Sequence, residues 1–315
     1  MGRKITVIGA GHVGATIAYT LSLGTLASEL VLIDVFKDKV EGEVMDIVQG
    51  ASFRDPISII AGEYSDAKDS DIVIITAGKG RKPGQTRIEL AQTNVDILKE
   101  ITPQIVAAAP NALYIIVSNP VDIMTYAFTK LSGLPENQII GSGTILDTSR
   151  LRYVLSNHYK IAQKNIHAYV FGEHGDSSFI PWSCADVSGC KLSDFEDMMI
   201  KSGEITEPID PAKTLQYVQK SGGEIIAKKG ATFYAVSASV NKICTALVAA
   251  YDSVATVSSM MHGEYGIDDV CISTLTIIGP DGVKGKVPTP MTYEEISKLQ
   301  ASANALKEVI KNLDL

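Results

Sequence analysis

An α/β fold, with a doubly wound parallel sheet in the first half and an α+β segment after it, is predicted by three features of the chain. Short β-branched runs alternate with helical patterns up to about Gly141, a glycine-rich turn joins the first run to the first helix, and beyond Gly141 the rhythm changes. Parallel strands covered on both faces read as continuous apolar runs. ITVIG (5–9), ELVLIDV (29–35), ISIIAG (57–62), DIVIITAG (71–78) and LYIIVSNP (113–120) are of that kind. Helical patterns from His12 and through Val48 supply the crossovers between them.

After Gly141 the pattern predicts a long helix over 144–158, a strand over HAYVF (167–171) and loops rich in Ser, Asp and Gly. The tail from Thr292 reads as an amphipathic helix. Thr292 and Glu295 have capping-box spacing, and Ile296, Leu299, Ala303, Leu306 and Ile310 share a face. A chain of 315 residues with 45% hydrophobic content exceeds what one core usually fills. Two domains are therefore expected, 1–141 and 142–315. Residues 79–87, with Gly80, Pro83 and Gly84, have the composition of a lid between a strand and a helix.

Composition removes several classes of function. The net charge is −8 and no Lys/Arg stripe exists, so nucleic acid is not an expected partner. No apolar run approaches the ~18 residues of a membrane helix. The four cysteines form no CxxC pair and no disulfide framework, which predicts a reducing, cytoplasmic setting.

Gly9, Gly11 and Gly14 form GxGxxG between the first strand and the first helix, a turn that lets backbone N–H groups and a helix N-terminus approach a pyrophosphate. Asp34, twenty residues beyond Gly14, ends the next strand, where a carboxylate accepts from ribose hydroxyls and repels a 2′-phosphate. The pair predicts NAD rather than NADP as cofactor. Ordinary tight-turn glycines with a solvated aspartate are the bland alternative. A phosphate-loop ATPase is disfavoured because GxxxxGK[ST] is absent.

The run Gly172-Glu173-His174-Gly175-Asp176 marks a candidate reacting site. A lone histidine is usually structural, but glycines around His174 would let a ligand approach. Asp147 offers a carboxylate to orient the ring and raise its pKa, if the two meet. Arg150, one helical turn after Asp147, would project an anion-binding guanidinium from the same face. No second ligand stands at metal spacing from His174, so no metal is expected.

Through GAGHVG, VLIDV, TAGKGRKPGQTR, VSNPVDI, GSGTILDTSRLRY, GEHGDSS and KKGATFYA, the chain resembles the L-lactate/malate dehydrogenase superfamily over essentially its whole length. The resemblance implies a Rossmann-type domain followed by a catalytic domain, and hydride transfer between NADH and a small 2-oxo or 2-hydroxy acid. It implies that Arg150 clamps the substrate carboxylate, that His174 paired with Asp147 exchanges the proton, and that Arg87 polarises the carbonyl. It further implies that Asn119 contacts the nicotinamide side and the reacting oxygen, that Gly78 lies along the cofactor, and that Thr232 forms the pocket wall.

For the acid itself the resemblance points two ways. Arg81, six residues before Arg87, stands where malate-specific relatives have arginine and lactate-specific ones glutamine. A charge stranded against the methyl of pyruvate would cost several kcal/mol, on the order of a buried unpaired ion. GEHGDSS, Trp182-Ser183 and Thr232 instead match the lactate pattern. Arg81 touches the variable end of the substrate, so the expectation is a lactate-dehydrogenase-like chain preferring oxaloacetate/malate, with pyruvate/lactate as the alternative. Arg152 and His167 match positions that bind fructose 1,6-bisphosphate between subunits of bacterial relatives, and with the resemblance they imply a homotetramer. A non-catalytic NAD-binding protein would need a damaged reacting set, and an NAD-dependent glycosidase metal-binding residues near the nicotinamide. Neither is found.

Overall fold

The computed structural model describes residues 3–80 and 84–315. Arg81 lies outside them. The first half runs β1 (Lys4–Ile8), α1 (His12–Ser22), β2 (Glu29–Ile33), α2 (Lys37–Gln49), β3 (Ser58–Ala61), β4 (Ile72–Ile75), α3 (Arg87–Ala108), β5 (Leu113–Ile116), α4 (Val121–Ser132) and β6 (Ile139–Gly141). These strands pair in parallel in the order β6-β5-β4-β1-β2-β3. This is the doubly wound order, and chain direction across the sheet reverses at β1. The crevice beyond the C-terminal ends of β1 and β4 is where such sheets take ligands.

The apolar runs sort by pleat. On β4, Ile72 and Ile74 join the core on one face with Ile5 and Val7 of β1, while Val73 and Ile75 join the core on the other with Ile8. β5 divides likewise, Ile115 to the first core and Tyr114 and Ile116 to the second. Successive side chains point to opposite faces, so a strand covered on both sides is apolar at nearly every position, and the buried Thr6 of β1 meets Ser70 Oγ at 2.8 Å. Each such buried Ile or Val contributes roughly 1.5–3 kcal/mol of transfer free energy.

The second half runs α5 (Ile145–Tyr159), β7 (Ile166–His167), β8 (Asp186–Val187), β9 (Cys190–Lys191), α6 (Leu192–Lys201), α7 (Pro211–Lys229), α8 (Tyr234–Leu247), β10 (Ser253–His262), β11 (Asp268–Gly279), β12 (Gly282–Lys286) and α9 (Tyr293–Ile310). β10 pairs antiparallel to β6, so β10–β12 extend the parallel sheet to nine strands among the described residues. α8 returns to the first half, and its Val240, Ile243 and Leu247 join the core with α1 residues Ile17 and Leu21. The strand expected over 167–171 shrinks to the pair Ile166–His167 in a separate small sheet. Ala168, Val170 and Phe171 are buried and Tyr169 half-buried, but the hydrogen bonds of this stretch go elsewhere. Val170 N–H donates to Thr148 Oγ1 at 3.0 Å, and Phe171 bridges Phe179.

The tail helix α9 begins at the expected capping box, Thr292 with Glu295, and buries Leu299, Ala303 and Leu306. Among the described residues no helix is long and apolar enough to cross a membrane.

Candidate active site

Gly9 turns the chain out of β1 with φ of +100°, a conformation that strains an L side chain. A methyl there would stand 2.8 Å from Ala77 N and from Thr76 Oγ1. A methyl at Gly14 would run into the Gly9 carbonyl, whereas Gly11 has open space around it. The outer glycines are thus packing requirements, and the middle one leaves room for a ligand at the uncapped N-terminus of α1. Asp34, just past β2, is tied to this turn. Its carboxylate accepts from Ala10 N–H at 2.6 Å and Phe36 N–H at 3.0 Å. A cradle of this shape fits a dinucleotide. Gly14→Ala is expected to weaken NADH binding about ten- to a hundredfold, the equivalent of about 1–3 kcal/mol of overpacking. Titration of nucleotide fluorescence checks this, and an unchanged Kd would show that the turn yields without cost.

Asn94, buried on α3, fastens the far wall. Its side-chain oxygen accepts from Lys79 N–H at 2.7 Å, and its amide donates to Asn119 O at 2.6 Å and to Lys79 O at 3.1 Å. It thereby locks the turn after β4, with Gly78, to the turn after β5, with Asn119. Sequence reading passed over Asn94. The available signal was an amide inside the apolar face of a helix, which must find partners when buried.

The third wall comes from the second half. Asp147, in the first turn of α5, is buried and holds two partners at once. One oxygen accepts from Arg150 Nη1 at 2.9 Å, and the other lies 2.5 Å from His174 Nδ1. The backbone N–H of His174 donates to Asp122 Oδ2 at 2.8 Å, which fixes the strand-like segment carrying the imidazole. The Asp147 carboxylate raises the His174 pKa above the ordinary imidazole value, against the opposing effect of burial. Burial pushes the Asp147 carboxyl up, but the His174 and Arg150 charges prevail and hold it below the usual carboxylate range. Burial raises Asp122, despite its hydrogen bonds and the nearby His174 and Arg87 charges. Asp122 also escaped the sequence reading, although an acid at the start of an otherwise apolar helix was visible in VSNPVDI.

These walls enclose a cleft of about 440 Å³ lined by Gly78, Asn119, Asp147, Arg150, His174 and Thr232, among others. α7 lies across it, with Gly222 close beside the Arg150 guanidinium. Arg87, the first residue of α3, pairs its guanidinium with the buried carboxylate of Glu173, the neighbour of His174. Arg152 stands apart from this cleft. Its Nε donates to Ala168 O at 3.1 Å, its guanidinium covers the Tyr169 ring at 5.1 Å, and it lines a second cleft of about 360 Å³ with Lys164 and Lys242. His167 is half-buried in β7, opposite Asp186.

An acid-held imidazole beside a guanidinium, facing a dinucleotide cradle at the switch point of a doubly wound sheet, belongs to an NAD-dependent oxidoreductase acting on CH–OH groups. Residues 3–141 match the NAD binding domain of the lactate/malate dehydrogenases and residues 144–314 their alpha/beta C-terminal domain, so the chain belongs to that family. It is 46% identical over 313 residues to the L-lactate dehydrogenase of Acetivibrio thermocellus, covering 99% of this chain and 98% of that one. It is also 46% identical to L-lactate dehydrogenase 1 of Clostridium acetobutylicum, with 98% of each covered. Among solved structures, the minor L-lactate dehydrogenase from Enterococcus mundtii superposes with a TM-score of 0.94 at 34% identity, over 100% of this chain and 99% of that one.

Proposed function

We propose that this chain is an L-lactate dehydrogenase that interconverts pyruvate and lactate. The observation that carries the choice of acid is its near full-length similarity to enzymes of that name. They weigh against the oxaloacetate preference expected from Arg81, whose placement lies outside the described residues.

NADH supplies the hydride when bound, with Gly9, Gly11, Gly14, Asp34, Gly78 and Asn119 placed to hold it. Arg150 binds the substrate carboxylate through paired N–H donors and sets the 2-carbon in position. With Nδ1 taken by Asp147, His174 uses Nε2 to donate a proton to the ketone oxygen and takes it back in the reverse direction. Asp147 stabilises the imidazolium and fixes the ring orientation. Arg87 stabilises charge developing on the substrate oxygen, and Thr232 closes the pocket wall. The division at 141/142 separates cofactor-holding from proton-exchanging parts. A cytoplasmic homotetramer with fructose 1,6-bisphosphate as effector completes the reading. Arg152, Lys164 and Lys242 at the second cleft are the cations that support the effector assignment, with His167 nearby in sequence.

The test is kcat/KM for pyruvate and for oxaloacetate with NADH, each with and without fructose 1,6-bisphosphate. Pyruvate is expected to exceed oxaloacetate by at least about tenfold, a difference of about 1.4 kcal/mol in transition-state binding. A preference for oxaloacetate that reverses in Arg81→Gln would overturn the lactate assignment in favour of malate. Turnover of neither acid would remove the dehydrogenase reading.

A further inference from the structure

We propose that Glu173 is a positioning residue, which seats the Arg87 guanidinium beside His174 and ties it to the C-terminal helix. The proposal rests on the role given to Arg87 above.

Glu173 is 3% exposed, and every polar atom of its side chain has a partner. One carboxylate oxygen meets the Arg87 guanidinium and the other accepts from Ser177 Oγ at 2.5 Å. Its backbone N–H donates to Ser302 Oγ at 2.9 Å, and Ser177 Oγ and Ser302 Oγ are themselves 2.8 Å apart. Ser302 is 1% exposed on α9. The carboxylate is thus strapped from two sides to a helix packed into the core, while its cation comes from the first residue of α3.

The glycines on either side are shaped to this arrangement. A methyl at Gly175 would stand 2.9 Å from Glu173 Oε1, and one at Gly172, where φ is +93°, would stand 3.0 Å from Ser302 Oγ. Any side chain at Gly175 would therefore push on the carboxylate that receives Arg87. Any at Gly172 would push on the serine that supports it. The two glycines flanking Glu173 and His174 do more than admit a ligand: they clear the space in which the ion pair forms.

A carboxylate this buried persists ionised only if it is paired and hydrogen-bonded. Arg87 has 37% of its side chain exposed, and a guanidinium carries five N–H donors. One edge can be seated on Glu173 while another meets a substrate oxygen. Glu173 and His174 are adjacent, so a single segment sets the position of both groups that act on that oxygen. Glu173, buried and already paired, has no proton-transfer role.

The test is a double-mutant cycle of Glu173→Gln and Arg87→Gln, read as kcat and KM for pyruvate and as Kd for NADH. Glu173→Gln keeps the shape and removes the charge. It is expected to lower kcat about ten- to a hundredfold while Kd for NADH changes less than about threefold. In the Arg87→Gln background the same substitution is expected to cost less than about threefold, because the group it positions is gone. Equal losses in both backgrounds, or an unchanged kcat in Glu173→Gln, would overturn the proposal. Arg87→Gln that retains full turnover would instead sink the role of Arg87 itself, whatever Glu173 does. Should Glu173→Gln fail to fold, judged by loss of NADH binding, Ser177→Ala takes its place in the cycle. A kcat loss that disappears with Arg87→Gln supports the seat, and no loss, or the same loss in both, rejects it.

Discussion

Replacement of His174 by Asn is expected to lower kcat for pyruvate reduction about 10²- to 10⁴-fold with Kd for NADH little changed, the range for loss of a positioned acid. The ring contacts Asp147 at 2.5 Å and lines the cleft, while the nucleotide cradle is built from other residues. The same geometry sets the pH dependence. Asp147 favours the imidazolium, so the folded pKa lies above the ordinary imidazole value. Asp122 adds to that effect and Arg150 opposes it. On the proposed function reduction needs the protonated ring, so kcat/KM for pyruvate should hold through the pH at which a free imidazole titrates and fall only as pH passes the raised value. Lactate oxidation needs the neutral ring and should rise over the same interval. Asp147→Asn removes the largest cause of the shift and should move both limbs toward lower pH. Opposed pH profiles that stay in place in Asp147→Asn would show that another group titrates.

Arg150→Gln is the second large effect. On the proposed function it removes a charge-assisted, two-pronged contact with the substrate carboxylate, a loss of about 2–5 kcal/mol for a close charged pair. That corresponds to a fall in kcat/KM for pyruvate of roughly 30- to several thousandfold. Part of the loss would come through Asp147, whose carboxyl the Arg150 charge helps keep low. Arg150→Lys separates the contributions. It restores a charge near Asp147 but not the planar fork, so it should recover the pH profile more fully than kcat/KM. A loss below about tenfold in Arg150→Gln, or an equal loss of NADH binding, would take the substrate clamp away from this residue.

Much of the first half was legible from the chain because its signals are local. The runs at β4 and β5 are apolar at consecutive positions because both sheet faces are covered, and that condition is written into each run. Gly14 could be read because the nearest clash is with the Gly9 carbonyl five residues away, and Gly9 because its own φ of +100° disfavours any side chain. The capping box of α9 lies within four residues. HAYVF was misleading for the complementary reason. Burial makes a run apolar, but pairing decides whether it is a strand, and Val170 and Phe171 find partners at Thr148 and Phe179 instead.

At the site, residue types were visible and contacts were not. Asp147 and Arg150 share a helix face by spacing, yet nothing local brings His174 to them, since it lies 27 residues beyond Asp147. Asn94, Asp122 and Glu173 act through partners far along the chain: Asn119, the His174 backbone, and Arg87 with Ser302.

By itself, the sequence determined the class of sheet, the nucleotide turn and the start of the tail helix, because each depends on sterics or periodicity within a few residues, whereas the candidate reacting side chains follow from the resemblance to the family. Only the tertiary structure decided that β10 joins β6, that α8 completes the core beside α1, that Asp147 holds both partners, and that Arg87 is seated on Glu173. Those contacts join segments many residues apart, and the free energy that selects them is that of burying apolar surface and compensating charge across the whole molecule.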